Sequence, residues 1–357
     1  MHSGFDPAED IPPPRGDMRR RAAARAATSH DVARLAGVSQ PTVSRALRGR
    51  SGVSDETRRR VEEAARTLNY VASDIGRSLA TRSRMQIGMV ARELTNPFYP
   101  HLVAPAQDEL DRAGYRMVLF TEREDDPTAV ERLLDQSIDG AILTTSTAHT
   151  LLPQELARRS TPFVFLNREV RSIEADACLV DNALGGALVA DALAELGHRR
   201  IAAIFGPRDT STGYEREMAF RERLSEHGIP LPARNVRHGP YAYDTGRELL
   251  ADLLDGDADF SAVFCGNDVI AMGALSCTRA RGVNVPGDLT VIGFDDIPMA
   301  SWEVFGLTTV RTDLEAMARS ACRLLLARIA DPDRGAERTL FTPQFTPRGT
   351  HAPPPTS

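Results

Sequence analysis

The chain has 357 residues, of which 42% are hydrophobic, so it is longer than one ordinary domain and can bury a sizeable core. It shows no run of about 18 apolar residues and no secretory signal, so we expect no transmembrane helix and a cytoplasmic protein. The formal net charge is −6, yet residues 18–84 carry 15 arginines against six acidic residues. This basic segment in an acidic chain predicts a nucleic-acid-binding head on a body with a different task.

The first residues and the start of the basic segment differ in character. Residues 1–27 are rich in proline and then in alanine and arginine, which predicts a disordered extension. A first helical pattern follows, with Thr28 placed as its N-cap and Asp31 at its favourable third position. Gly37 supplies a tight turn after this helix, and Ser54 is placed as the N-cap of a third helix further along.

The second helical pattern begins with Ser39 as the N-cap and has Pro41 in its first turn. Proline fits there because its missing N–H loses no intrahelical bond and its fixed φ suits a helix. The small or apolar residues predicted to form a mini-core are Ala33, Leu35, Ala36, Val38, Val43, Ala46 and Leu47. These features predict a helix-turn-helix domain over residues 28–70, whose second helix offers its N-terminal residues to a DNA major groove.

A short basic linker, residues 71–84, separates this domain from a different kind of sequence. Apolar strand patterns then alternate with helical patterns near residues 99–113, 127–137, 183–196, 213–227, 244–255, 268–281 and 313–329. This alternation predicts parallel sheets covered on both faces by helices. The predicted fold is a small all-α head and an α/β body, residues 85–348, of two doubly wound parallel-sheet subdomains with a ligand cleft between them. Residues 349–357 are predicted to be a disordered tail.

The body carries no catalytic motif that we recognise. It has no G-x-x-x-x-G-K-[ST], no H-E-x-x-H and no G-x-S-x-G, and its four cysteines are scattered, as in a protein with reduced thiols. We interpret His198 and Arg199 as a helix-end turn, and Asp295 and Asp296 as a structural turn. We therefore expect no enzymatic activity, no metal and no cofactor.

Several motifs, in this order, resemble those of the LacI/GalR family of bacterial transcriptional repressors, over roughly Thr28 to Arg348. The motifs are TSHDVARLAGVSQPTVSRALRG, VSDETRRRVEEAARTLNY, NPFYP, GHRRIAAIFGP, FCGNDVIAMGAL and LTVIGFDDIPMAS with the later LTTVR. The resemblance implies a dimer whose heads bind the two halves of a pseudopalindromic operator, and control by a small-molecule effector of the sugar class. Whether the effector is an inducer or a corepressor, and whether the protein represses or activates, stays open.

The resemblance also implies which residues meet DNA. They are Thr28, Ser39, Gln40, Pro41, Thr42, Ser44, Arg45, Arg77 and Leu79. Gln40 can bond an adenine edge and Arg45 a guanine, whereas Pro41 offers only apolar contact. Thr42 and Ser44 suit phosphates better. The alternative for Arg45 is a solvated face.

The linker corresponds to the family's hinge helix, in which Leu79 would wedge between central base pairs and kink the duplex. Here the linker departs from the usual pattern at Ala72, Ser73 and Gly76. A glycine costs about 1 kcal/mol of helix propensity relative to alanine, so we expect a weaker or more DNA-dependent hinge. The alternative for Leu79 is local packing.

The effector contacts that the resemblance implies come from loops at the ends of strands. They are Phe98, Tyr99, Thr144, Asn167, Thr212, Arg216, Tyr241, Asn267, Asp268 and Trp302. Asn167 stands where the family often has aspartate. Arg216 and Asp268 could bond adjacent sugar hydroxyls, and Phe98, Tyr241 or Trp302 could stack on a sugar face or a flat ring. Core packing is the alternative for the aromatic residues, and helix N-capping for Asp268.

Two other functions fit parts of the sequence. A periplasmic-type sugar-binding protein without DNA function would share the fold of the body, but it would need export and would leave the basic head unexplained. An enzyme would need a catalytic motif. The C-terminal segment RGTHAPPPTS shows no apolar heptads, which favours a dimer over a tetramer held by a helical tail.

Overall fold

The computed structural model describes residues 27–47, 51–68, 70, 84–91, 94–121, 133 and 138–355. The chain divides into two compact units, Met1–Gly76 and Arg77–Ser357. Of the sequence-based predictions, the N-terminal extension up to residue 26, the hinge with Arg77 and Leu79, and nearly all of the helix near residues 127–137 lie outside the described residues.

The head contains the three predicted helices, α1 (Ser29–Ala36), α2 (Gln40–Leu47) and α3 (Asp55–Thr67). The predicted capping of α1 is confirmed: the Thr28 hydroxyl oxygen accepts from the Asp31 N–H at 3.3 Å, and the Asp31 carboxylate accepts from the Thr28 N–H at 3.0 Å. Gly37 ends α1 with a φ of +64°, which favours glycine and turns the chain into α2.

The core of the head lies where the three helices meet. Its buried members are Val32, Ala33, Ala36, Val43, Ala46, Val61, Ala64 and Ala65, so α3 contributes as many residues as α1. The inclusion of Leu35 in the predicted mini-core was wrong, because this side chain is 54% exposed. Arg60 of α3 donates to the carbonyl oxygen of Ala36 at 2.5 Å and thereby ties α3 to the end of α1.

The body alternates strands and helices as predicted. Its strands are β1 (Gln86–Ala91), β2 (Arg116–Thr121), β3 (Gly140–Leu143), β4 (Phe163–Leu166), β5 (Asp176–Val180), β6 (Ile201–Phe205), β7 (Val236–His238), β8 (Ala262–Cys265), β9 (Thr290–Ile292), β10 (Thr309–Arg311), β11 (Arg338–Phe341) and β12 (Gln344–Thr346). Its helices are α4 (Pro100–Arg112), α5 (Leu152–Arg158), α6 (Asn182–Glu195), α7 (Ser211–Glu226), α8 (Tyr243–Asp255), α9 (Asp268–Arg281) and α10 (Leu314–Ala330).

The strands form one parallel sheet in each lobe of the body. The first lobe has the order β11-β5-β4-β3-β1-β2, and the second has the order β7-β6-β8-β9. β10 and β12 form a small antiparallel pair. The segment RTLFTPQFTPR forms two strands: β11 completes the first sheet and β12 returns to β10.

The chain passes between the lobes after β5, after β10 and between β11 and β12. The loops that follow β1, β4, β6, β8 and β9 therefore come from the carboxyl ends of parallel strands in both lobes. Ligands of open α/β sheets bind outside these ends, so the architecture places a site between the lobes.

The segment after residue 348 is packed onto the second lobe as far as Pro354, so the prediction of a disordered tail does not hold there. The buried Thr350 hydroxyl donates to the carbonyl oxygen of Val291 at 2.7 Å. His198 is fully buried and joins Ser261 to the Ala352 carbonyl oxygen, at 2.8 and 2.9 Å. At this position, His198 stabilises the fold.

Among the helices that the structure describes, none is both long and apolar enough to cross a membrane.

Helices α8 and α9 approach each other closely at two glycines. A β-carbon on Gly246 would overlap the carbonyl oxygen of Ile270, and one on Gly273 would overlap that of Tyr243. These neighbours are backbone atoms, which cannot move aside as the end of a side chain can. The two glycines therefore set the distance between the helices.

We predict that Gly273→Ala lowers the free energy of unfolding by about 1–3 kcal/mol, because the added methyl group forces α8 and α9 apart. Gly335→Ala is the matched control, since a β-carbon there meets open space. Denaturant unfolding of the full chain measures both. Equal stability of the two variants would contradict the close packing of these helices.

Candidate functional site: a recognition helix and an interlobe pocket

The N-terminal part of α2 presents the residues predicted to read DNA. Gln40, Pro41 and Arg45 are exposed, whereas Val43 and Ala46 on the opposite face are buried in the core of the head. This division follows from the helical period, which places positions 41 and 45 on one side and 43 and 46 on another. One face of α2 therefore packs in the core of the head, and the opposite face is exposed to solvent.

Among the described residues, several of the predicted DNA-contacting side chains are held by hydrogen bonds within the head, whereas Arg45 is not. The Ser39 and Thr42 hydroxyl groups bond each other at 2.8 Å, and the Gln40 amide donates to the Ser29 hydroxyl at 3.3 Å. The Thr28 hydroxyl donates to the Asp31 carboxylate at 2.6 Å, so it is already used in the cap of α1. Within the described part of the chain, the guanidinium of Arg45 has neither a hydrogen-bond nor an ion-pair partner.

A small pocket lies between the two lobes of the body, with a cavity volume of about 20 Å³. Its lining residues are Asn96, Phe98, Tyr99, Asn167, Arg168, Thr212, Arg216, Tyr241, Asn267 and Asp295. Seven of these ten were among the predicted effector contacts. Most of the lining residues follow a strand end or lie near the start of a helix, so the pocket is lined by the loops in which the effector contacts were predicted.

The lobes touch each other across the mouth of this pocket. The Asn96 amide of the first lobe donates to the Tyr241 carbonyl oxygen of the second at 2.8 Å. Ala148 N–H donates to the carbonyl oxygen of Asp209 at 2.8 Å, and Glu169 N–H donates to the Ser211 hydroxyl at 3.2 Å. These bonds describe a closed arrangement of the lobes.

Arg216 joins several elements at the base of the pocket. Its guanidinium donates to the Asn182 amide oxygen at 2.8 Å, to the Gly266 carbonyl oxygen at 2.7 Å and to Asp295 at 3.1 Å. It also lies 3.6 Å from the ring centroid of Phe294. Because these partners occupy several of its N–H groups, Arg216 can contact a ligand only through the N–H groups that remain.

Asp295 supplies the carboxylate of the pocket. Burial raises the pKa of Asp295 to about 6, although the positive charges of Arg216 and Arg168 oppose the shift. Its φ is +111°, and Asn167 across the pocket has a φ of +73°, both in the left-handed region that non-glycine residues seldom adopt. Backbone strain of this kind clusters at binding sites, where the surroundings enforce it.

Two side chains of the lining have buried polar atoms without a partner. They are the amide oxygen of Asn167 and the Nε and Nη1 atoms of Arg168. The Arg168 guanidinium lies 5.2 Å from the centroid of the Tyr241 ring. The Tyr241 ring in turn packs on Gly206, where any side chain would overlap it. Unpaired donors and acceptors beside an aromatic face are the groups that a polar ligand would satisfy.

Three predicted effector residues lie outside the lining of this pocket. Asp268 is fully buried and accepts from the Thr309 hydroxyl at 2.5 Å and from the Ile297 N–H at 2.9 Å, so it fixes the loop after β9. Burial raises its pKa well above the usual range. The Thr144 hydroxyl donates to the carbonyl oxygen of Val90 at 2.7 Å. Trp302 is 53% exposed on the surface.

The alternative role of Asp268, as the N-cap of α9, was wrong. Asn267 caps α9, since its side-chain oxygen accepts from the Ile270 N–H at 2.9 Å. The sequence analysis missed Asn96, Arg168 and Asp295 as lining residues. Arg168 directly follows the predicted Asn167, so its charge beside a strand end was the available signal. Asp295 was interpreted as part of a structural turn.

The comparisons with known proteins agree with both parts of the chain. Residues 28–73 match the model of bacterial regulatory proteins of the lacI family, and residues 190–351 match that of the periplasmic binding protein-like domain. The chain is 36% identical over 325 residues to the HTH-type transcriptional regulator CelR of Thermobifida fusca, which covers 87% of this chain and 94% of that protein.

Two solved structures are similar along most of the chain. The transcriptional regulator CelR-cellobiose complex has a TM-score of 0.70 and 33% identity, covering 91% of this chain and 99% of that one. The lac repressor dimer bound to operator and the anti-inducer ONPF has a TM-score of 0.81 and 26% identity, covering 92% and 100%. The predicted fold class, an all-α head with a periplasmic-binding-protein-like body, is confirmed.

An exposed helix-turn-helix face together with a polar interlobe pocket defines a DNA-binding regulator that responds to a small molecule. The chain belongs to the lacI family of bacterial regulatory proteins, as the resemblance of its motifs predicted. It is a DNA-binding transcriptional regulator, and its relatives are regulators and not enzymes. The alternative of a sugar carrier without DNA function was therefore wrong.

We predict that Asp295→Asn changes how stability depends on pH. Because the pKa of Asp295 in the folded protein is about 6 and its ordinary value is 3.8, the folded state holds the proton more tightly. The free energy of unfolding should fall as the pH rises between these values, by at most about 1.4 kcal/mol per pH unit, and then level off. The variant should lose this part of the slope.

Denaturant unfolding at several pH values between about 4 and 7 measures the difference in slope between the two proteins. The slope is the readout, since the variant also loses the ion pair with Arg216. Asp259→Asn, at an exposed carboxylate paired with Arg200, is the control that should keep the wild-type slope. Parallel curves for wild type and Asp295→Asn would show that Asp295 titrates normally.

Proposed function

We propose that this regulator represses transcription in the cytoplasm from a pseudopalindromic operator, which it binds as a dimer, under the control of a sugar or sugar derivative held in the interlobe pocket. The observation that carries the proposal is the polar pocket, closed between the lobes, with buried groups left to pair with a ligand. The similarity to a regulator solved with cellobiose and to a repressor dimer solved on its operator supports the sugar, the dimer and the operator.

The lining of the pocket suits a polyhydroxy ligand. Amide groups of Asn96, Asn167 and Asn267 and the hydroxyl of Thr212 can donate to or accept from sugar hydroxyl groups. The faces of Phe98 and the other aromatic residues suit the apolar C–H face of a sugar ring. A pocket with a few convergent polar groups and aromatic walls is the usual form of a small-molecule site.

The control of DNA binding follows from the closed arrangement of the lobes. Bonds such as Asn96 to Tyr241 exist only while the lobes are together. A ligand that contacts both lobes stabilises this arrangement over an open one, because it binds the closed state better. If the two arrangements hold the heads differently, effector and operator change each other's affinity by the same factor, typically worth about 1–3 kcal/mol.

The DNA side of the proposal rests on α2. The guanidinium of Arg45, which has no partner among the described residues, and the amide of Gln40 lie on its exposed face, where guanine and adenine edges can be read. Ser44 and Thr42 are half-buried beside them and are suited to phosphates. Pro41 offers an apolar surface only. Thr28 acts through the cap that positions α1.

We predict that Arg45→Ala costs about 1–3 kcal/mol of operator affinity and relaxes the preference at one base-pair position of each half-site. Arg66→Ala is the control, since it removes the same charge from an exposed position on α3. Binding to a set of single-base operator variants measures both. A uniform loss across all variants would make Arg45 a phosphate contact instead.

We predict that Asn167→Ala weakens the response to the effector while operator affinity without effector stays unchanged. The concentration of the releasing sugar at half effect should rise about tenfold or more, since a lost buried hydrogen bond costs about 1–3 kcal/mol. Trp302→Ala is the control at a position outside the pocket lining, and it should respond as the wild type does. An unchanged response of Asn167→Ala would remove this residue from the site.

A further inference from the structure

The charges that line the interlobe pocket do not balance. Two guanidinium groups, those of Arg168 and Arg216, and one carboxylate, that of Asp295, line it. Arg216 and Asp295 are buried and form an ion pair at 3.1 Å, so each is compensated by the other. One positive charge, on Arg168, is left over.

Arg168 is only 5% exposed, and its Nε and Nη1 atoms are buried without a hydrogen-bond partner. The nearest acidic residue in sequence, Glu169, bonds Arg338 at 2.7 Å. The next arginine, Arg171, is paired with Glu215 at 2.6 Å. Within the described part of the chain, the carboxylates next to this segment are therefore bound to other arginines. Arg168 lies over the face of Tyr241, and Asp295, the carboxylate of the pocket that its charge reaches, is already paired with Arg216.

A buried cation without a counter-ion is costly. An aromatic face compensates only part of the free energy that is needed to remove an unpaired charge from water. The guanidinium cannot avoid this cost by losing its proton, because arginine stays charged in proteins. A molecule that brings a negative charge into the pocket would remove the imbalance.

We propose that the effector is a sugar derivative with an anionic group, a carboxylate or a phosphate, and that Arg168 binds this group. The inference rests on the proposed function of the pocket as a sugar site. A guanidinium binds carboxylate and phosphate through two parallel N–H···O bonds, and Nε with one Nη atom forms such a pair. In Arg168, Nε and Nη1 are buried and unpartnered; because Nε lies side by side with Nη2 and Nη1 lies on the other side of the group, each belongs to a different donor pair.

The neighbouring residue indicates that the same molecule also carries hydroxyl groups. The side-chain oxygen of Asn167 is buried and unpartnered, and as an amide oxygen it accepts a hydrogen bond. A carboxylate or phosphate cannot donate to it, but a sugar hydroxyl can. At the end of β4, Arg168 is thus suited to bind an anion, and the adjacent Asn167 is suited to accept a hydrogen bond from a hydroxyl group.

The test compares neutral sugars with their acidic counterparts on the full-length chain. The probes are D-glucose, D-glucuronate and D-glucose 6-phosphate; D-galactose and D-galacturonate; cellobiose and cellobionate; and inorganic phosphate alone. The midpoint of thermal unfolding is measured against probe concentration at constant ionic strength, so that general screening is the same in every series. The uronate and the phosphate arms distinguish the two kinds of anion.

Three variants accompany the wild type. Arg168→Gln removes the charge, and Arg168→Lys keeps the charge but not the two parallel bonds. Arg171→Gln is the matched control three residues along, at an exposed arginine that is already paired with Glu215. A variant that does not fold would be recognised by its unfolding profile, and Arg168→Lys then carries the comparison.

We expect at least one acidic probe to bind the wild type tenfold or more tightly than its neutral counterpart, and inorganic phosphate to raise the midpoint. Arg168→Gln should lose both effects, Arg168→Lys should keep a weaker preference, and Arg171→Gln should match the wild type. The inference is overturned if neutral sugars bind as tightly as their acids, if Arg168→Gln keeps the preference, or if no probe shifts the wild type.

The failure of this inference can be told apart from a failure of the proposed function. A neutral sugar that stabilises the protein and releases it from its operator would keep the sugar-controlled regulator and remove only the anionic group. Binding of an acidic probe with no effect on DNA affinity would keep the charge argument and remove the control of DNA binding.

Discussion

The buried guanidinium of Arg216 is the interaction on which the rest of the body depends. It reaches Asn182 where the chain crosses between the lobes, Gly266 at the end of β8, and Asp295 in the loop after β9. Removing one member of such a buried pair leaves an uncompensated charge, which costs about 3–5 kcal/mol. The crossover and the wall of the pocket are therefore held as one unit, and a ligand beside Arg216 acts on both.

The same junction explains how strain and charge are placed in the pocket. Asp295 and Asp296 both have φ values in the left-handed region, and Asp296 is held there by Arg348 at 2.6 Å. The two carboxylates thus point to different arginines, one towards the pocket and one towards the C-terminal segment. With Asp295 engaged by Arg216, the charge of Arg168 is left for a molecule from outside. The turn at Asp295 and Asp296 therefore contributes both to the stability of the fold and to the charge of the pocket.

The sequence predicted the features that depend on local rules. The caps at Thr28 and Ser54, the turn at Gly37 and the proline in the first turn of α2 follow from short-range hydrogen bonding, and the structure has them. Strand-end loops also brought most of the pocket residues together, because parallel strands direct their carboxyl ends to one edge. Leu35 was misplaced since its exposure depends on where α3 packs, and the helical period of α1 alone does not show it.

The site itself was less predictable because its chemistry depends on which partner each charge finds. Asp268 looked like a ligand contact, but Thr309 and Ile297, both far along the chain, occupy its two oxygens. The charge of Arg168 is left uncompensated because its neighbours Glu169 and Arg171 are paired with other residues, which the sequence does not show. Which charged side chains are already occupied by other residues can be seen only from contacts between residues far apart in the sequence. The packing of the segment after residue 348 likewise depends on Val291 and Thr308 at the edge of the second lobe.

The central claim is that the head reads a specific DNA sequence with two recognition helices related by symmetry. Selection of bound duplexes from a random pool with the purified full chain tests it most directly. We predict enrichment of an inverted repeat with a fixed centre, because a two-fold dimer places its two α2 helices in equivalent half-sites. Recovery of no preferred sequence, at low as well as at moderate salt, would contradict the claim.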